Sequence, residues 1–180
     1  MNENLPLDQP AGNSPTGVAI RYGFFTSFLS VVYSLLLFVT GWNVTNQALT
    51  WISFLILGAG IFLAHNYFKS SGNGYMRYGQ GIGIGSLLAL VVGLISGIFT
   101  YVYVKFVDSG FMDRVKDMQV AQLEERGMSD EQIEQAMQMS EKFMGPEMMV
   151  VWSVLGTLFF GFLVSLVIAA ITKNTKPEYE

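Results

Sequence analysis

Tyr78 to Phe106 reads YGQGIGIGSLLALVVGLISGIFTYVYVKF, with Lys105 as its sole charged residue. A helix crosses the hydrocarbon core of a bilayer in roughly 20 residues, so this stretch is a membrane span with length to spare. At 1.5 Å per residue it extends about 43 Å against a core of about 30 Å, which predicts that it continues beyond the bilayer near Tyr101 and Tyr103. Small residues recur at every fourth position: Gly81, Gly85, Ala89, Gly93 and Gly97. That spacing places them on one helix face, where absent side chains let a second backbone approach closely.

Three more apolar runs flank this one, Gly17–Thr40 and Ala48–Phe68 before it and Met148–Thr172 after it. Only the segment Asp108–Pro146 is charged throughout. The expected fold is therefore all-α and polytopic, with four transmembrane helices and an extramembrane helical hairpin between the third and fourth. The expected divisions are a disordered tail at 1–16, a membrane domain at 17–172 that includes the 108–146 hairpin, and a second tail at 173–180. Spans are placed at 17–40, 48–68, 78–106 and 148–172.

Composition agrees with a membrane domain, because 51% apolar and 13% charged residues is too apolar and too sparsely charged for an ordinary soluble one. Zero cysteines exclude a disulfide framework, a thiolate metal site and a cysteine nucleophile. The net charge of −4 gives no reason to expect nucleic acid as a partner. The first sixteen residues carry Glu3, Asp8 and three prolines but no Lys or Arg, unlike the basic start of a cleaved signal.

Positive residues near span ends are retained on the cytoplasmic side. Arg21, Lys69, Arg77, Lys173 and Lys176 share one side if both termini are inside, whereas the long third loop holds ten carboxylates from Asp108 through Glu147. The expected topology is N-in and C-in, with the loop outside; Lys105, beside a span end, argues the other way. Trp42, Trp51, Tyr75, Tyr78 and Trp152 fall where aromatic anchors at the two interfaces belong. Asn43-Val44-Thr45 matches a glycosylation sequon, relevant only in a eukaryotic secretory pathway.

The fourth run repeats the small-residue device with Ser153, Thr157, Gly161 and Ser165, and the expected arrangement is a compact bundle with the third helix at its centre. A helix with six glycines would also serve a bending element in a pore. The cluster Gly79–Gly85 fails as a dinucleotide fingerprint, since neither Gly79 nor Gly81 is followed by glycines at both required offsets. Ionisable groups are confined to span ends. Arg21, His65 and Asn66 are the candidate polar interface, with His65 expected at the membrane interface, bonded to backbone or water.

The loop reads as two short helices. Phe111, Val115, Met118 and Ala121 share a face of the first, which ends before Gly127; Ser129 and Gln132 form a capping-box signature for the second. Eight of ten methionines lie between Met112 and Met149, and Met137, Met139 and Met144 are the candidate soft-metal ligands. Met137 and Met139 point about 200° apart on one helix, which favours interface packing over a metal, and no cofactor is expected.

Three segments carry a likeness to known proteins: Asn73–Gly81, Tyr103–Asp108, and the run QLEERGMSDEQIEQAM at Gln122–Met137, closed by Lys142–Pro146. With them the chain resembles a family of four-pass membrane proteins of Bacteroidetes-type bacteria, domain of unknown function 4199. The resemblance covers nearly everything after the proline-rich tail. It implies a bacterial inner-membrane location and the same four-span layout with a long third loop, and no activity, cofactor or site. The residues themselves leave an interaction or structural module, contacting the lipid bilayer and either an envelope protein or another copy, as the first functional reading. A small transporter, channel or accessory transport subunit is the alternative. No catalytic motif supports an enzyme.

Overall fold

A computed structural model describes residues 14–41, 47–141, 143 and 145–175. Among these residues the chain forms six helices: α1 Pro15–Thr40, α2 Gln47–Ser70, α3 Tyr78–Val102, α4 Phe111–Glu125, α5 Asp130–Glu141 and α6 Pro146–Thr172. Four of them, α1, α2, α3 and α6, are long and apolar enough to cross a membrane. The helical part begins two residues before the division expected from sequence, because Ser14 caps α1 and Pro15 occupies its first turn. The Ser14 hydroxyl accepts from the Gly17 N–H at 3.0 Å, and proline at that position loses no bond. The expected disorder of residues 1–13, Trp42 and the Asn43 sequon lie outside the described residues.

The helix ends follow local chemistry. Gly41 stops α1 at φ 69°, with its N–H on Phe38 O at 3.1 Å. Gln80 reaches back to the Arg77 N–H at 2.9 Å and starts α3. Gly127, at φ 75°, ends α4 in a Schellman arrangement: its N–H bonds Glu124 O and the Met128 N–H bonds Leu123 O. Gln132 accepts from the Ser129 N–H at 3.0 Å and opens α5.

The third span does not stop at Val102. It widens into a π-helical turn, Tyr103–Val107, closed by the Asp108 N–H on Tyr103 O at 2.9 Å. Tyr103 is buried there, and with Phe99 and Phe111 it surrounds Phe38 of α1 at centroid distances of 4.8–6.3 Å. That cluster fixes where α4 leaves the bundle.

α3 packs against α1, α2 and α6, most extensively against α6, whereas α1 and α6 scarcely meet. The core around it is formed by Val18, Ala19, Leu57, Ile61, Ala64, Met76, Ile84, Leu88, Ala89 and Val92. Outward-facing positions are as apolar as the core: Phe28 is 68% exposed, Leu55 71% and Ile171 75%. Such a belt on four long helices would be an aggregation surface in water and is the ordinary exterior of a bundle in lipid.

Candidate functional site

The bundle has two chemically opposite ends. The start of α1, the end of α2, the start of α3 and the end of α6 meet at one of them, where Arg21, Lys69, Arg77 and Lys173 lie. No carboxylate accompanies these four cations among the described residues. The loop after α2 is tied there to the chain after α6, as Met76 and Asn174 exchange backbone bonds of 2.8 and 3.0 Å. The Asn174 side chain donates to Gly74 O at 3.0 Å as well. Arg21 donates to the Tyr67 hydroxyl at 3.1 Å, with its guanidinium 5.3 Å from that ring's centroid. Asn66, the residue before Tyr67 on α2, is half-buried.

His65 is enclosed at the basic end of the bundle, where it is 0% exposed. Its Nε2 is 2.8 Å from Gly81 O and its Nδ1 is 2.9 Å from the Thr172 hydroxyl. One ring thus joins α2, α3 and α6. A carbonyl only accepts, so Nε2 carries a hydrogen and Nδ1 faces the hydroxyl. The bare carbonyl edge of Gly81 is what allows this approach; a Cβ built there would lie 3.3 Å from His65 Cε1 and 2.8 Å from Ala169 Cβ.

Above this clasp, α3 and α6 run antiparallel with little between them. A Cβ at Gly161 would overlap Ala89 Cβ, and one at Gly85 would overlap the Ser165 hydroxyl. At Gly93 it would lie 3.0 Å from Val154 Cα and 3.2 Å from Thr157 Cβ; at Gly97 it would meet Ser153 Cβ at 3.2 Å. The Ser153 hydroxyl donates across this seam to Gly93 O at 3.2 Å, whereas that of Ser165 turns back to Gly161 O at 2.5 Å. Gly60 of α2 meets Thr26 of α1 in the same way.

The other end carries α4 and α5. Lys116 bonds Glu141 at 2.8 Å and Ser140 donates to Gln119 at 3.3 Å, so polar contacts cross between these helices. Beside them opens a groove of about 390 Å³ lined by Met112, Val115, Lys116, Gln119, Met137, Ser140, Glu141 and Gly145. A second hollow of about 270 Å³ adjoins it toward Leu123 and Arg126. Met137 lines both, Met139 is 69% exposed, and Met144 lies outside the described residues.

Lys116 holds the Glu141 carboxyl below the usual carboxylate range, and Glu141 raises the Lys116 ammonium in turn. The pair is therefore intact from neutral pH downward until the pH falls through the lowered Glu141 value, where protonation removes it. NMR titration of Glu141 is expected to inflect at lower pH than an ordinary glutamate and to return to the usual range in Lys116→Met. An unchanged inflection in that variant would remove Lys116 as the cause.

Sequence reasoning missed Thr172 and Met76 as partners at the basic end, since Thr172 stands 107 positions from His65 and Met76 stands 98 from Asn174, and nothing local announces either pairing. The groove was equally invisible, because it belongs to the spacing between two helices. The family model for a protein of unknown function (DUF4199) matches residues 21–174. No curated protein and no solved structure matches.

Proposed function

The chain belongs to the DUF4199 family, and from that premise we propose that this apolar four-helix protein is an interaction module of a bacterial inner membrane. Its working surface is the α4–α5 helical hairpin, which binds an envelope partner or another copy. The observation that carries this reading is the open groove lined by Met112, Val115 and Met137 at the end of the bundle that carries α4 and α5. Methionine is a common lining of adaptable protein-binding grooves because its side chain repacks against varied partners. The four cations at the opposite end support an orientation with both termini and that end in the cytoplasm. Transport would need a polar path between spans, and the glycine face of α3 is filled by α6.

Photo-crosslinking residues at Met112 and Met137, installed in the full chain in its native membrane, test the proposal. A discrete protein adduct at both positions is expected, with lipid adducts alone at the outward-facing Phe159. Lipid adducts alone at all three would sink the reading.

A further inference from the structure

Deepening that reading and resting on it, we propose that the α4–α5 groove takes a cationic amphipathic helix of about four turns from another protein. The two hollows share Gln119, Met137 and Ser140, so they form one groove that follows α4 from Met112 to Arg126. At 1.5 Å per residue that is about 21 Å, the length over which a helix presents anchors at i, i+3 or i+4, and i+7. The floor is mostly apolar around Met112, Val115 and Met137 and mixed toward Gln122 and Arg126. The surroundings are acidic: residues 108–141 hold nine carboxylates and three cations. Two of those cations are already committed, Arg114 to Asp108 and Lys116 to Glu141.

Helical spacing puts Asp130 and Glu134 of α5 within about 60° of Met137, which lines the groove, while Glu141 at its edge is already bonded to Lys116. An occupant with basic residues beside its apolar face meets both features of this surface. A second copy does not, because it brings the same acidic end and its basic cluster lies across the membrane-spanning bundle. An anionic bilayer surface is repelled by the same charge. A bound divalent ion has no ready site, since no group of three or more His, Asp or Glu suited to a metal occurs among the described residues.

The test uses the full chain in zwitterionic phosphatidylcholine nanodiscs and fluorescent peptides of about eighteen residues. One peptide is an amphipathic helix of Leu and Lys, one its Leu and Glu counterpart, and one a Leu and Lys scramble with no apolar face. The Leu/Lys helix is expected to bind at least about tenfold tighter than it binds empty discs, and to lose about tenfold as salt rises from about 50 to 300 mM, by screening. Val115→Trp, which fills the groove, is expected to weaken it about tenfold. Because that variant also strains the pairing of α4 with α5, the surface charge swap Asp130→Lys and Glu134→Lys, at exposed positions beside Met137, provides the second arm. It is expected to transfer preference to the Leu/Glu helix. Equal binding of the scramble or the Leu/Glu helix to the unaltered chain, or an unchanged preference after the swap, overturns the proposal. In the crosslinking experiment, a protein adduct on a segment that is not basic would overturn this inference alone, whereas lipid adducts alone would remove the interaction module itself.

Discussion

Gly161→Leu is expected to give the largest loss of bundle stability of any single substitution in the spans. The first atom added at that position already overlaps Ala89 Cβ, which is anchored directly to the α3 backbone and cannot rotate away. Relief requires α3 and α6 to separate, and separation forfeits contacts along the seam from Gly81–Ala169 to Gly97–Ser153. Lipid tails offer no hydrophobic drive to hold the two helices together, so those van der Waals contacts are the main force in play. Overpacking of a well-filled interface costs about 1–3 kcal/mol for a modest insertion, and leucine at the tightest point of the seam belongs at or above the top of that range. Gly156 on the same helix is the control, since a Cβ there meets nothing within 4 Å. SDS-denaturation midpoints of the purified protein should fall sharply for Gly161→Leu and stay near the parent value for Gly156→Ala. Equal midpoints for the two variants would mean that the seam does not hold the bundle.

The contrast between those two glycines also marks how far the sequence can be read. A four-residue spacing in Gly81, Gly85, Ala89, Gly93 and Gly97 states that these positions share a face, because helical geometry is local. It does not state which helix stands opposite, and in the same span Gly79 and Gly83 have open space where a Cβ would go. The long spans are legible for a similar reason: lipid demands an unbroken apolar run, and the chain supplies four. Pairings set by tertiary position are not legible. His65 bonds groups 16 and 107 positions away, and Met76 pairs with Asn174 across two spans. The π-helical turn at Tyr103–Val107 contains no proline or glycine to announce it. The α4–α5 groove depends on how two short helices lie side by side, which their individual patterns leave open.

His65→Ala is expected to be the second most damaging change, and it acts by a different route. The imidazole touches three spans at once, so its removal leaves an internal cavity and breaks two interhelical bonds. Interhelical hydrogen bonds in membranes contribute about 0.6–1.7 kcal/mol each, and with the cavity the loss should reach about 2–4 kcal/mol. His65→Phe fills the volume without restoring the bonds and should recover only part of the loss. The protonation state follows from donor counting. The Thr172 hydroxyl lies 2.9 Å from Nδ1 and 2.7 Å from Ile168 O, and it has a single hydrogen to give. With a neutral ring that hydrogen goes to Nδ1; with a charged ring Nδ1 would donate and the hydroxyl would turn to Ile168. Among the described residues a charged ring would be enclosed without a carboxylate partner at an end that already holds four cations, which is the costly arrangement. A neutral ring, with its hydrogen on Nε2 toward Gly81, is therefore the expected state. Nitrogen NMR of labelled His65 at neutral pH should show one protonated and one bare ring nitrogen. Two protonated nitrogens would reverse the assignment and make the Thr172–Ile168 bond the resting state of the clasp.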